Sequence, residues 1–494
     1  MPPTDPTGPW PEQQVLLTHL AAWMSERRWF PLKDEQPPDG AALRVVADSR
    51  LAPGVRDLVV AVPRTDHSPV LMHVPLVLDS PGALERLTGA GEAPGAAGFA
   101  LPDGTALVDG PHHPSFWRAW ARAALAAGTT LRPEATTAVV QRAERLRVTT
   151  GEQSNTSVIL PAPSGADDAA GAEDAATEGL IIKLFRVLAP GRNPDVEVSV
   201  ALARDGWDQV SSPVAWSTLS FPDPDSGEQA SADSAVAAAF IPDAEDGFAL
   251  FCSLAGSDDG EAGGTRARAV SLAADLGVTT AHMHEHLAAA MGTADPGSPA
   301  DLAAALGERA SWALGEVPEL TRAVPDLEAR VEAGLDELRG LEELPPATRV
   351  HGDYHLGQTL RGSGGQGRWY VLDFEGEPLR PLADRSRPDQ PLRDVAGMLR
   401  SFDYAAAVGG AADPGWLPAV RSAFLDGYRS AAPSTGAAGH AADVLMGVLE
   451  LDKALYEAVY EARNRPDWLR IPLSGIRHVL RAKSPAERSP HGTV

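Results

Sequence analysis

The sequence predicts an α+β chain of two or three domains: a small N-terminal α+β unit, a strand-rich middle and a mainly helical C-terminal half. Three observations carry that prediction. At 494 residues the chain is longer than one ordinary core organises. Short apolar runs broken by Pro, Gly and Asp dominate its first half, the pattern of strands and turns. Long stretches of helical apolar spacing occupy residues 267–290, 300–343, 393–406 and 449–480. The boundaries expected from composition are 1–110, 111–250 and 251–494.

Composition narrows the function classes. Apolar residues make up 44% of the chain, ample for globular folding, and the formal charge of −25 is spread along its length. Such acidity argues against nucleic acid and anionic membranes, because like charge repels the phosphates that dominate those contacts. A nucleotide user remains open, since a metal ion and a few basic side chains neutralise a triphosphate locally. One cysteine, Cys252, leaves no internal disulfide and no cysteine-based zinc site. The N-terminal MPPTDPTGPWPEQQ has neither a basic stretch nor an apolar core, and no window is apolar enough to span a bilayer. The expectation is a soluble cytoplasmic protein.

Taken in order, residues 14–29 have helical spacing and are followed by strand-like runs at 43–46, 58–62 and 70–78. Trp23, Trp29 and Phe30 read as core aromatics. A helix is expected over 113–127, then strands at Val139–Val140 and 146–148. TTGEQSNTSVIL (149–160) reads as a hairpin. Its backbone near Gly151 and the side chains of Ser154, Asn155, Thr156 and Ser157 could donate to phosphates, although its composition alone favours an ordinary hairpin turn. Residues 161–178 are acidic, Ala/Gly-rich and aperiodic, an insertion rather than a domain. GLIIKLFRVL then places Lys183 in an apolar strand, where a buried lysine needs an anionic partner. Glu197, after Pro194, begins a helix and is the partner expected for it. The edge-strand alternative, a lysine reaching solvent, stays open. Strands at 214–219 and 235–241 end at Pro242, where a two-lobed scaffold would place its hinge and an adenine would meet backbone near Ala238 and Phe240.

The most informative stretch is VHGDYHLGQTLRGSGGQGRWYVLDFEGEP, residues 350–378. Asp353 follows His351-Gly352, Gln358 comes five residues later, and a Gly/Ser-rich turn returns through an apolar strand to Asp373-Phe374-Glu375. Kinase-type phosphoryl transfer needs one carboxylate to accept the proton of the attacking hydroxyl, and an amide and second carboxylate to hold magnesium. Asp353, Gln358 and Asp373 fit those roles. His282, His284 and His286 on the preceding helix lack an acidic partner pattern for a metal. Asp394, opening the helix after Arg393, reads as a cap or a brace for the catalytic loop. Lys453, Tyr456, Glu457, Tyr460 and Glu461 recur at spacings of three and four, a polar-aromatic stripe that suits either a sugar site or an ion-paired surface helix.

The segments GEQSNTSVIL, LIIKLFRVLAPGRNPDVEV, HGDYHLGQTL, VLDFEGEPLRPLADRSRPDQPLRDVAGMLRSFDYAA and LDKALYEAVYEARNRPDWLRIPL together resemble the maltokinases, as do WMSERRWF and DGPHHPSFWRA nearer the N-terminus. That resemblance implies a bilobal protein-kinase-like, aminoglycoside-phosphotransferase-like fold with an N-terminal α+β cap. It implies a magnesium- and ATP-dependent kinase that phosphorylates the anomeric hydroxyl of maltose, giving maltose 1-phosphate for α-glucan (glycogen) synthesis, often beside a trehalose synthase-type partner. By motif match Asp353 would be the base, with Gln358 and Asp373 as magnesium ligands and Glu375 as an additional one. Lys183 would hold the α- and β-phosphates, Glu197 would orient it, and Gly151 to Ser157 would form the phosphate loop. His351, Arg393, Tyr456, Glu457, Tyr460, Glu461 and Trp468 would surround the sugar. The chain departs from the family in its hinge, VAAAFIPDAEDGF, and in the acidic insertion. A sister group with similar catalytic motifs resembles maltokinases but phosphorylates glucosamine; the intact YEAVYEARNRPDW stretch favours maltose. A non-catalytic ATP-binding or scaffold protein is the reading from a different class, and the joint presence of Lys183, Asp353, Gln358 and Asp373 weighs against it.

Overall fold

The computed structural model of the chain describes residues 9–33, 38–65, 67–89, 95–149, 154–163, 178–257, 264–363, 367–377, 381–432 and 439–482. The chain divides into two compact units, Met1–Ser199 with Ser211–Pro242, and Val200–Val210 with Asp243–Val494.

The first unit opens with helix α1 (Gln13–Ser25). It is shorter than the spacing predicts, because Trp29 and Phe30 fold back into the core instead of continuing the helix. Strands β1 (Arg44–Ala52), β2 (Val55–Arg64), β3 (His67–Asp79), β4 (Gly98–Ala100) and β5 (Ala106–Asp109) form an antiparallel sheet of order β1-β2-β3-β5-β4, with helix α2 (Pro81–Leu87) in the crossover. Side chains alternate across a strand. Leu58, Val60 and Val62 of β2 therefore meet Leu16, Leu20 and Met24 of α1, while Val55 and Val77 point into a second core with Phe116, Trp117 and Trp120. Those aromatics belong to helix α3 (Pro114–Ala127), closed by Gly128 in the left-handed region. Helix α4 (Pro133–Arg142) follows. Val139–Val140, expected as a strand, is the last turn of α4: proline at its first position starts the helix, and an isolated apolar pair cannot decide between the two periods.

The same core is completed by a second sheet, of order β10-β11-β8-β7-β6. Its strands are β6 (Arg147–Val148), β7 (Asn155–Leu160), β8 (Leu180–Phe185), β10 (Pro213–Pro222) and β11 (Gln229–Ala239). A two-residue strand, β9 (Val187–Leu188), leaves β8 to pair with β3, so the boundary expected near residue 110 falls inside one continuous core. Helix α5 (Pro194–Arg204) begins in this unit. Behind β8, Arg186 is fully buried, forks onto the Asp109 carboxylate, donates from Nε to Thr156 Oγ1 at 2.8 Å and stacks 4.3 Å from the Trp29 ring centroid.

The second unit is mainly helical, as its periodicity predicts. Strand β12 (Glu245–Asp246) leads into α6 (Gly247–Gly256) and the long α7 (Thr265–Met291). Strand β13 (Thr293–Ala294) precedes α8 (Pro299–Glu316), α9 (Glu319–Ala323), α10 (Leu327–Arg339) and β14 (Ala347–Thr348). Strands β15 (Thr359–Arg361) and β16 (Trp369–Val371) pair as a hairpin, and β12 pairs with β15. Helices α11 (Leu382–Arg385), α12 (Leu392–Gly409), α13 (Trp416–Ala431), α14 (His440–Asn464) and α15 (Arg470–Ala482) complete the unit. The core under the hairpin is aromatic: Phe251 of α6 stacks on Trp369 at 6.2 Å and meets Phe402 of α12 edge-on at 5.0 Å.

Candidate active site

Within the second unit, the loop from His351 to Gln358 joins β14 to β15 and is held from three sides. Asp394, at the start of α12, accepts the backbone N–H of His351 at 2.7 Å and that of Gly352 at 2.9 Å. His284 of α7 donates from Nε2 to the same carboxylate at 3.2 Å, and its Nδ1 accepts from Tyr428 OH at 2.9 Å. Burial disfavours the Asp394 carboxylate, yet the His284 hydrogen bond, the neighbouring imidazoles and the Gly352 N–H hold its pKa below the usual range. Asp394 is therefore a brace for the loop, one of the two roles its position allowed. Gly352 and Gly376 both take positive φ, and a Cβ on Gly352 would lie 3.3 Å from the Gly376 Cα, so the loop and the turn after Asp-Phe-Glu meet through two glycines. A Cβ on Gly397 would strike the Tyr354 carbonyl at 2.6 Å, which fixes how closely α12 packs beneath the loop.

These contacts present Asp353 to a cavity of about 790 Å³. Asp353 Oδ1 lies 3.4 Å from Lys453 Nζ, and Oδ2 faces His355 Nε2 at 4.0 Å. His355 Nδ1 accepts the Gly357 N–H at 3.1 Å, which leaves the proton on Nε2; burial lowers the imidazole pKa and favours the neutral ring. Gln358 and Asp373 are adjacent: the Gln358 amide lies 3.4 Å from Asp373 Oδ2. Asp373 is one of two non-glycine residues with positive φ among the described residues, at 59°. Sparsely populated backbone of this kind persists where the surroundings demand it, commonly at functional sites. A carboxylate beside an amide that can turn its oxygen inward is an all-oxygen donor set, and it fits a hard cation such as magnesium. Arg385 donates to the Glu375 carbonyl at 2.9 Å and packs over Gly376; burial lowers its pKa while the Glu375 and Asp373 charges oppose that.

Helix α14 forms the opposite wall. Lys453, Tyr456, Glu457, Tyr460, Glu461 and Trp468 all line the cavity. Glu457 accepts from Arg400 Nε at 2.9 Å, and Glu461 accepts from Tyr404 OH at 3.0 Å and from Arg465 at 2.7 and 2.9 Å. Burial raises the Glu457 pKa, with Arg400 and Lys453 opposing. The stripe is thus ion-paired and cavity-facing at once, which joins the two readings its periodicity left open.

Two of the residues placed at the sugar by sequence lie behind the wall. His351 is buried and donates from Nε2 to the Leu372 carbonyl at 2.8 Å. Arg393 pairs with Asp389 at 2.8 Å and with Asp452 at 3.1 Å. Each side chain is engaged locally, so neither lines the cavity. Glu377, which also lines it, was not singled out in the sequence; it pairs at 3.0 Å with Lys453 of the α14 stripe.

In the first unit, Lys183 Nζ contacts Asp195 Oδ2 at 3.2 Å, on the first turn of the same helix that carries Glu197. Ser157 pairs across the strands with Lys183 and shares its face of the sheet. Thr156 points the other way and its hydroxyl accepts from Arg186, which removes it from a phosphate-facing role. Asn155 opens β7 and Ser154 precedes it, while Gly151 lies outside the described residues. Ala238 is within the ladder, opposite Pro213 and Ile181, and the Phe240 N–H is committed to the Gly179 carbonyl at 2.8 Å. As placed, that N–H is not available to an adenine.

Residues 228–434, which contain Asp353, Gln358, Asp373 and Asp394, match the phosphotransferase enzyme family. A glucosamine kinase of Streptacidiphilus jiangxiensis is 34% identical over 223 residues, 42% of this chain and 49% of that protein. A glucosamine kinase of Mycolicibacterium smegmatis is 30% identical over 263 residues, 49% of this chain and 61% of that protein. The chain spans about half the length of the curated relatives it matches. Among solved structures, a glucosamine kinase in complex with glucosamine, ADP and inorganic phosphate gives a TM-score of 0.63 at 23% identity, covering 96% of this chain and all of that one. A second glucosamine kinase structure, crystal form A, gives 0.61 at 22% identity over 95% of this chain and 99% of that one. The chain has the kinase-like fold of the aminoglycoside phosphotransferases.

Proposed function

We propose that the protein is an ATP-dependent kinase for an amino sugar of the glucosamine class. The observation that carries this reading is the Asp353 cavity itself, in which a proton acceptor shares one chamber with a carboxylate-rich helical wall. Five carboxylates and three cations line it, an excess of negative charge that suits an acceptor bearing an ammonium. The glucosamine kinase relatives support the amino sugar over maltose, the substrate that the C-terminal stretch favours by resemblance.

In this reading Asp353 accepts the proton of an acceptor hydroxyl as its oxygen bonds to the γ-phosphorus. The bond from that phosphorus to the β–γ bridging oxygen breaks, and ADP leaves. Asp373 and Gln358 would hold magnesium, which when bound with the triphosphate offsets its negative charge. Lys183, oriented by Asp195, would hold the α- and β-phosphates. Glu457 and Glu461 would take the ammonium and hydroxyls, with Tyr456 against the sugar ring.

Maltose keeps one observation in its favour. The cavity is larger than a single hexosamine requires, and its lining includes Trp312, Tyr460 and Trp468, rings suited to a second sugar face. The deciding experiment is ADP release with ATP and magnesium against glucosamine, maltose, glucose, trehalose and an aminoglycoside, with phosphorus NMR of the product. Turnover on glucosamine with one new phosphate ester is expected. Turnover on maltose with an anomeric phosphate, and none on glucosamine, would replace the amino-sugar reading. ATP binding without acceptor-dependent ADP release would overturn the kinase reading altogether.

A further inference from the structure

We propose that Lys453 is a positioning residue for the phosphoryl transfer: held between Glu377 and Asp353, its ammonium fixes the Asp353 carboxylate and ties the sugar-facing helix to the base. The inference rests on the reading of Asp353 as the proton acceptor.

Three segments meet at this one nitrogen. Nζ is 3.0 Å from Glu377 Oε1, which follows the Asp-Phe-Glu turn, and 3.4 Å from Asp353 Oδ1 on the catalytic loop. It also lies 5.4 Å from the ring centroid of Tyr456, its neighbour on α14. Asp353 and Glu377 are 25% and 11% exposed, so without Lys453 the two carboxylates would face each other with little solvent between. The two Asp353 oxygens are made inequivalent by this contact. Oδ1 is engaged by Lys453, while Oδ2 faces the Nε2 edge of His355 across 4.0 Å. A carboxylate free to rotate would present either oxygen; one held at Oδ1 presents Oδ2. A lysine suits the task, since a compact ammonium bridges two single oxygens where a guanidinium fork would demand bidentate geometry.

Glu377 is set in turn by its surroundings. It is 9% exposed overall and lies in the field of Arg393, which is itself fixed by Asp389 and Asp452. The charges therefore run from Arg393 of α12, through its field on Glu377, to Lys453 and the reacting carboxylate. Because Lys453 shares α14 with Glu457 and Glu461, a shift of that helix on binding an acceptor moves the group that holds the base.

The test compares kcat and KM of the wild type with Lys453→Met, Lys453→Arg, Glu377→Gln and Asp353→Asn, using the acceptor that the wild type turns over. Lys453→Met is expected to lower kcat about a hundredfold, the scale of a misplaced reacting group, with the KM for ATP unchanged. Lys453→Arg restores part of the loss by keeping the charge, and Glu377→Gln falls between the two. Lys453→Met with kcat within about twofold of wild type would overturn the positioning role while leaving the base intact. So would a lower melting temperature with undiminished kcat per folded molecule, the mark of a structural ion pair. Full turnover by Asp353→Asn, or no acceptor-dependent ADP release by the wild type, would instead remove the reading on which this inference rests.

Discussion

Arg186 in the first unit and Lys453 in the second are both cations held against carboxylates, and they do opposite work. Arg186 is sealed: fully buried, forked onto Asp109, bonded to Thr156 and covered by Trp29. All of its contacts are internal, and it joins the β5 end of one sheet to β7 and β8 of the other. Lys453 lines a cavity, and one of its two carboxylates is the proposed base. The comparison teaches that burial of charge by itself does not mark chemistry. What separates the two clusters is whether a carboxylate remains accessible to something that can enter.

Mutations that break each cluster should therefore fail in different assays. Asp353→Asn is expected to lower kcat by about a hundred- to ten-thousandfold with ATP affinity nearly intact, as for loss of a general base, measured by steady-state ADP release. Arg186→Met leaves Asp109 buried without its partner and should cost about 3–5 kcal/mol of stability, read by denaturant unfolding. Activity per folded molecule should survive that change; selective loss of kcat would collapse the distinction between the clusters. Asp394→Ala strands the His351 and Gly352 N–H groups, at about 1–3 kcal/mol each, and should lower both melting temperature and kcat. Glu461→Gln weakens a charge-assisted contact and should raise the KM for glucosamine about tenfold, with a smaller change for a neutral sugar. Arg368→Ala removes an exposed pair with Asp208 and should change stability by less than about 1 kcal/mol.

The geometry of the candidate site was legible where it is local in sequence. Asp353, Gln358 and Asp373 lie within one stretch, and their spacing alone implies a loop, a hairpin and a metal-suited oxygen pair. The α14 stripe was equally readable, because helical periodicity puts Tyr456, Glu457, Tyr460 and Glu461 on one face whatever the tertiary fold. Contacts made across long separations were not readable. Glu377 and Asp353 reach Lys453 from 76 and 100 residues away, and no local pattern announces that meeting. His351 and Arg393 were drawn to the sugar by nearness in the motif, yet local partners turn both side chains elsewhere. Thr156 failed for a different reason: strand alternation separates it from Ser157, and only the position of Arg186 decides which face is core. Lys183 was legible as a strand lysine needing a carboxylate, and Asp195 at the start of α5 supplies one.

In the proposed function an acidic cavity would deliver a cationic sugar to Asp353. Side-by-side kcat/KM values for glucosamine and maltose test that claim, measured for the wild type at saturating ATP and magnesium. A clear preference for glucosamine, abolished in Asp353→Asn, is the predicted result. A preference for maltose, or a ratio unchanged by Glu461→Gln, would contradict the assignment of the wall carboxylates to an ammonium.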